Sequence, residues 1–475
     1  MLATAVAGTD AVAAEVPLQF RITEGRILNA FHQQGPVAAH LLLNNGTQPR
    51  ILVAFPAGNS GVGLWFEQSQ HPANWVLGDI RSLSRADGRG RMLHGIVATA
   101  TVDAPLMVRD AVLSSVRVLR DYQINGTYPS DLKSSAKVTG NTVDWARQRL
   151  DGAAGYVLSI SVEHGQIRKG QGTALRLSPS QMGERMLLRI TALTGETPLT
   201  PLGSARLLNT SASDDQRSRQ VLEFLSYEEK LLGGSWRFDT YFGRDTLMSL
   251  RLLLPALQPE AIERGLVSVL QRLAPNGEVA HEEDIGEFAV LRHRQQGDSA
   301  SDTPLYDYKM IDDDFMLAPL AAAYLLEQPR GRSRAETFLA GQMSSGERVG
   351  AALARNFLWI TQSARAFAQQ PERANLLSLK SGLSVGDWRD SEDGLAGGRY
   401  PFDVNAVLAP AAMTAISQFV RSGLLTPYLT SQQQRSLSTA AQMAEVWSRD
   451  APALFRVRLT DADARRRITA YAADI

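Results

Sequence analysis

The sequence predicts a multi-domain chain, all-β then all-α: an N-terminal antiparallel β-sandwich followed by an (α/α)6 toroid that is incomplete at its C-terminal end. Three observations predict this. The 475-residue length exceeds what one ordinary hydrophobic core accommodates. Short alternating runs between turn residues fill residues 17–204. Helical periodicity then takes over, with the Asp, Trp and Gly clusters confined to the connections between helices.

Composition excludes several function classes. Hydrophobic residues make up 44% and charged residues 21% of the chain, the balance of a globular protein. Lys plus Arg and Asp plus Glu both number 49, so there is no electrostatic footprint for nucleic acid or for an anionic membrane. Neutral polymers such as glucans remain natural partners. Cysteine is absent, which removes disulfides, thiolate catalysis and Cys-based zinc sites. Residues 1–16 read as a tail or a signal remnant. Ala11-Val12-Ala13-Ala14-Glu15 resembles an A-x-A processing site, although the basic n-region is missing. A cytoplasmic and an exported location both stay open, the processing-like site leaning toward export. No segment reaches membrane-spanning length without a charge.

Within residues 17–204 the strand candidates are Phe20–Ile22, Ala38–Leu43, Ile51–Phe55, Val62–Phe66, Ile96–Val102, Val112–Val118, Tyr156–Val162, Ala174–Leu177 and Met186–Leu193. Many alternate apolar with polar residues, as half-buried antiparallel strands do. Trp65 and Trp75 could stack on a sugar, but core aromatics are the better reading.

From residue 205 to 475 the pattern is helical. Ser211-Ala212-Ser213-Asp214-Asp215 reads as a linker and helix cap. Val221, Leu222, Phe224, Leu225, Leu231 and Leu232 follow at helical spacing, stopped by Gly233-Gly234. Further helices fit 245–254, 259–273, 313–327, 346–370, 403–423 and 431–448. Successive helical hairpins of this kind make an α/α toroid, whose pocket is built by loops at one end of the inner ring. Six hairpins need twelve helices, on the order of 350–400 residues at about 12–15 per helix plus loops. The chain also stops abruptly at Ala473-Asp474-Ile475, so the closing helices are expected beyond residue 475.

Three clusters carry candidate chemistry. Trp236-Arg237-Phe238-Asp239-Thr240-Tyr241-Phe242-Gly243-Arg244-Asp245-Thr246 interleaves aromatics with Asp and Arg where a helix opens. Aromatic faces stack on sugar C–H surfaces, and carboxylate and guanidinium groups grip hydroxyls. The plainer alternative is that Asp245 or Thr246 caps the helix and Arg244 pairs with a nearby acid. Tyr306-Asp307-Tyr308-Lys309-Met310-Ile311-Asp312-Asp313-Asp314 places three adjacent carboxylates at another helix start. Shielded from water, at least one must hold its proton toward neutrality; in solvent they would be an ordinary acidic cap. The spacing of a calcium loop is absent. The third cluster is Gly386-Asp387-Trp388-Arg389-Asp390-Ser391, followed by Asp403-Val404-Asn405-Ala406 at a further helix start. His281, in the acidic loop Asn276–Glu287, reads as structural, and no zinc-binding H-E-x-x-H exists. Asp245, Asp312 and Asp403 each fall at the N-terminus of a helix that would belong to the inner ring. Parallel inner helices would gather all three at one mouth.

These segments resemble, in order and spacing, those of the glycogen-debranching-enzyme-like glucosidases among the six-hairpin glycosidases. Tyr241-Phe242-Gly243-Arg244-Asp245-Thr246 is similar to their W-F-G-R-D-T, Ile311-Asp312 to their V-D-A-T, Trp388-Arg389-Asp390 to their W-M-D, and Asp403-Val404-Asn405-Ala406 to their V-E-I-N-A. The likeness covers roughly residues 205–425. It implies that Asp312 is the general acid, with Asp314 as the alternative because the flanks of Asp312 depart from the pattern. It implies that Arg244 and Asp245 hold the non-reducing sugar. Asp390 and Asp403 would grip further hydroxyls, Asp403 standing where the family has Glu, and Trp236, Tyr241 or Trp388 would line the wall. The family inverts configuration, with its base in the last toroid helices, so the general base is expected beyond residue 475. Glu282, Glu283 and Glu392 are weaker substitutes within the chain.

The expected function is therefore a glycoside hydrolase, an inverting exo-acting α-glucosidase of the amylo-α-1,6-glucosidase type, acting on an oligo- or polysaccharide without cofactor or metal. As a fragment the chain could be inactive. The alternatives are another toroid enzyme, trehalase-like, glucosylglycerate-type or a phosphorylase, or a non-catalytic carbohydrate-binding protein.

Overall fold

The protein is described here by a computed structural model covering residues 16–170, 174–181, 183–298, 301–389, 391 and 394–475. Backbone contacts divide it into two units, Met1–Tyr241 with Glu283–Leu305, and Phe242–Glu282 with Tyr306–Ile475.

Among the described residues, fourteen strands form the two large sheets of the first unit. They are β1 (Leu18–Glu24), β2 (Ile27–Gln34), β3 (Val37–Asn44), β4 (Arg50–Phe55), β5 (Ser60–Phe66), β6 (Trp75–Ala86) and β7 (Met92–Val102). Then come β8 (Leu106–Ser115), β9 (Lys137–Thr139), β10 (Thr142–Arg147), β11 (Tyr156–His164), β12 (Gln166–Lys169), β13 (Leu175–Ser178) and β14 (Met186–Thr194). One sheet has the order β1-β2-β3-β4-β5-β8-β13-β12 and the other β6-β7-β14-β11-β10-β9. The expected antiparallel pairing is seen along both, for example Ile160 opposite Ile190. Strict alternation in β11 sends Tyr156, Leu158, Ile160 and Val162 inward. They join Leu41, Val53, Leu64, Ile96 and Leu113 in one apolar core shared by the two sheets. Trp65 and Trp75 are buried as core residues.

The Val112–Val118 run is not one strand. It ends at Ser115, whose hydroxyl accepts from the Arg117 N–H and caps a helix, Val116–Asn125. β-Branched residues on both sides of the cap disguise the switch. Asp215 is a cap as read, accepting from the Ser218 N–H for the helix Gln216–Phe224. Beyond it Leu231 lies in a bridge with Ser226, so the apolar pair Leu231-Leu232 does not continue the helix. Helix Gly286–Gln295 was not anticipated. Its fully buried Glu287 receives hydrogen bonds from the Arg147 guanidinium, the Ser114 hydroxyl and the Leu150 N–H.

The second unit is helical. Gly243–Leu253, Pro259–Leu270, Asp312–Ala322, Val349–Ser363, Ala409–Ser422 and Ala440–Leu454 are its main helices. The helix starting at Asp312 lies against those starting at Gly243, Val349 and Ala409. Its apolar residues Phe315, Leu317 and Leu320 are buried, as are Phe357, Ile416 and Phe419 on its neighbours. Two expected helices are interrupted: 346–370 breaks after Ser363, and 431–448 breaks between Leu437 and Ala440. Asp461–Asp474 is an additional helix with no buried residue. Among the described residues no helix is long and apolar enough to cross a membrane.

Candidate functional site

The aromatic–acidic segment 236–246 is divided between the units, after Tyr241. In the first unit Trp236 is partly buried against the cluster of Leu42, Leu52, Trp65 and Tyr122. Arg237 adopts a left-handed φ of 81° in a tight turn. Tyr241 is 0% exposed, so its ring cannot stack on a sugar, contrary to the expectation that it lines a pocket wall. Glu283 is also sequestered. It pairs with Lys230 and accepts from the Thr240 hydroxyl at 2.7 Å, which leaves it unsuited to activating water.

In the second unit a short connecting segment, residues 279–281, is tied to two helix starts at once. The Gly243 N–H donates to the His281 carbonyl at 2.8 Å. The Val279 N–H donates to Asp314 Oδ1 at 2.7 Å. Glycine is required at 243: a Cβ there would lie 2.3 Å from the Ala280 carbonyl oxygen and 3.0 Å from Asp313 Oδ2. This close approach brings Arg244 and Asp245 to the acidic start of the Asp312 helix.

Arg244 donates to Asp312 Oδ2 at 3.0 Å, with Asp313 Oδ1 at 4.0 Å from the same nitrogen. His281 Nδ1 lies 2.9 Å from Asp313 Oδ2. Asp312 and Asp313 are both 0% exposed. Burial, then the neighbouring Asp313 charge, pushes the Asp312 carboxyl up to about 7, against the pull of Arg244. Burial resists the charge on His281, but the hydrogen bond and charge of Asp313 raise its pKa on balance. Burial likewise raises Asp245, against Arg244 and His281.

Asp314 points elsewhere. Besides the Val279 N–H it accepts from Trp359 Nε1 at 3.0 Å, and burial pushes it up to about 8. The Ile311 N–H donates to the Gly386 carbonyl at 2.8 Å, placing the 386–389 loop beside the Asp312 helix. Asp387 is 1% exposed. Its pKa is raised by burial and then by Asp403, while Arg244 and Arg389 oppose the rise. Burial raises Asp403 too, against the same two arginines. Asn405 anchors this side. Its amide accepts from the Leu377 N–H and donates to the Leu377 and Pro401 carbonyls, each at 2.8 Å.

The charge of Arg244 acts on Asp245, Asp312 and Asp403 alike. Trp388 is 53% exposed, with Arg389 over its ring. Asp390 and Glu392 lie outside the described residues. Glu282 is half-buried and acts on His281. Two members were given no site role from the sequence: Asp387, named only within its cluster, and His281, read as structural. The signal for Asp387 was the preceding Gly386, where a Cβ would meet Leu379 at 2.9 Å. Among the described residues no three His, Asp or Glu side chains are arranged to hold a metal ion.

In the helical unit, buried carboxylates gather where the helices opening at Gly243 and Asp312 meet residues 279–281. No known protein family and no curated protein matches the chain. Among solved structures it is similar to a protein provisionally named a kojibiose phosphorylase, from the human microbiome. The two share 8% identity, with a TM-score of 0.32 over 92% of this chain and 71% of the other, a superposition too loose to carry an activity.

Proposed function

We propose that the chain is a glycoside hydrolase acting on neutral, α-linked glucose-containing saccharides, with Asp312 as general acid. The finer reading is an inverting, exo-acting enzyme of the debranching type. One observation carries the carbohydrate reading. Asp312 Oδ1, Asp313 Oδ1 and Asp387 Oδ2 are buried carboxylate oxygens with no hydrogen-bond partner among the described residues. A buried acceptor without a donor is costly; sugar hydroxyls would donate to Asp313 and Asp387, and a glycosidic oxygen would accept from protonated Asp312.

Asp312 meets the requirement for an acid, a carboxyl that keeps its proton near neutrality. Asp314 is also raised, but both its oxygens are already engaged with Val279 and Trp359. Arg244, Asp245, Asp387 and Asp403 hold substrate hydroxyls, and Trp388 offers an exposed ring face. Carboxylates outnumber the cations Arg244, His281 and Arg389 here. That field favours water over a phosphate dianion as acceptor.

The test is Asp312→Asn in the active full-length gene product, assayed on maltose and isomaltose by glucose release. Turnover is expected to fall by about 10²–10⁴, with saccharide binding retained by calorimetry. α-Glucosyl fluoride, whose leaving group needs no proton, should keep most of its rate. Wild-type turnover of the disaccharides by Asp312→Asn would end the assignment, and a dead Asp314→Asn beside it would move the acid two residues along.

A further inference from the structure

We infer that His281, through Asp313, is a positioning residue that keeps the reactive proton on Asp312. The inference rests on the reading of Asp312 as the acid. The geometry is a chain of contacts, His281 Nδ1 to Asp313 Oδ2 at 2.9 Å, Asp313 Oδ1 to Arg244 at 4.0 Å, and Arg244 to Asp312 Oδ2 at 3.0 Å.

Asp312 and Asp313 are adjacent and fully buried, and they share one guanidinium. Two carboxyls so placed compete for one proton. Whichever receives stronger hydrogen bonds as an anion leaves the proton to the other. Arg244 sits closer to Asp312, which by itself would favour the anion there and put the proton on the wrong carboxyl. The imidazole redresses this balance. A carboxylate only accepts, so Nδ1 of His281 carries the hydrogen and donates it to Asp313. With Asp313 held as the anion through Oδ2, Asp312 keeps the proton and presents Oδ1, which lacks a hydrogen-bond partner among the described residues.

The groups that act on His281 are Arg244 and Asp313, with Glu282 next to it in the chain. Asp245 of the Gly243 helix and Asp307, whose carbonyl accepts from the His281 N–H, are acted on by it in turn. Most are acidic, so the imidazole stays charged as the pH approaches neutrality, consistent with its raised pKa.

Two substitutions separate the roles of hydrogen-bond donor and charge. His281→Phe keeps the ring volume and removes both. His281→Asn restores a neutral N–H donor near the Nδ1 position. Hydrolysis of isomaltose is measured across pH 4.5–9, alongside thermal melting. In His281→Phe the plateau kcat should fall roughly three- to tenfold, because the proton now divides between Asp312 and Asp313. Its alkaline limb should rise by about half to one pH unit, because a positive charge has gone. His281→Asn should recover most of the plateau while keeping the raised limb. A wild-type profile in His281→Phe overturns the inference. So does a plateau loss with an unmoved limb that Asn does not repair, which marks a purely structural histidine. An Asp312→Asn enzyme with full activity refutes the underlying acid assignment instead, so the two failures are distinguishable.

Discussion

Replacing Asp314 with Asn should change the pH dependence of stability in a direction the structure fixes. Asp314 is 2% exposed and accepts from the Val279 N–H and Trp359 Nε1. Burial moves its pKa from 3.8 to about 8. Between those values the folded chain carries the proton and the unfolded chain does not. The folded state therefore binds one more proton, and stability falls as the pH rises through this window. The slope is about 1.4 kcal/mol per pH unit, or roughly 4 kcal/mol between pH 4.5 and 7.5. Asparagine cannot ionise, but its NH₂ faces one of the two donors, costing about 1 kcal/mol or somewhat more. Asp314→Asn should be level with or below the wild type at pH 4.5 and more stable by a few kcal/mol at pH 7.5. Urea unfolding at both pH values measures this. The raised pKa of Asp312 adds a similar slope to both proteins, so the difference between the two curves isolates Asp314. Parallel curves would refute the neutral, enclosed carboxyl.

Two further substitutions probe the scaffold of the site. Gly243→Ala puts a methyl group 2.3 Å from the Ala280 carbonyl oxygen and against Asp313; a loss of about 1–3 kcal/mol is expected, with at least a roughly tenfold loss of isomaltose turnover as the acidic pair is displaced. An unchanged urea midpoint and rate would show that the close approach is not needed. Asn405→Leu strips three hydrogen bonds from Leu377 and Pro401; at about 1–3 kcal/mol for each unsatisfied buried group, the chain should lose several kcal/mol. KM should rise as Asp403 loses its anchor, and a stable variant with unaltered KM would contradict the clamp.

Much of this architecture is visible in the residues. Alternation marked β11 and β14 because one face of each is buried and the other is not. β2 escaped notice because it buries polar side chains, Asn29, His32 and Gln33, which hydrogen-bonding partners stabilise only in the folded state. The start of the Val116 helix was hidden by the pair Ser114-Ser115, with valines on both sides. Helix-terminal acids were legible at 245, 312 and 403, since a cap and a ligand-binding carboxylate use the same residue type at the same place. What separates the two roles is burial and partner count, which depend on distant segments. That is why Asp314 and Asp312 look alike in sequence, and why one is enclosed with two donors while the other keeps an oxygen free of protein donors. His281 was read as structural because a lone histidine carries no spacing signal; only the fold sets Asp313 beside it.

The path of the chain between the two units has a consequence for synthesis on the ribosome. Arg147 and Ser114 belong to strands of the sandwich, yet the carboxylate they hold, Glu287, follows Arg147 by 140 residues. At about 5–20 residues per second, roughly 7–30 s separate the emergence of the arginine from that of its partner. During that interval the nascent sandwich carries a guanidinium whose final partner has not been made. The segment 242–282 is in the reverse position, extruded before the helix that supplies Asp312 and Asp313. Neither unit is finished by the residues that begin it, so each waits, while translation proceeds, on a piece delivered after the other has started.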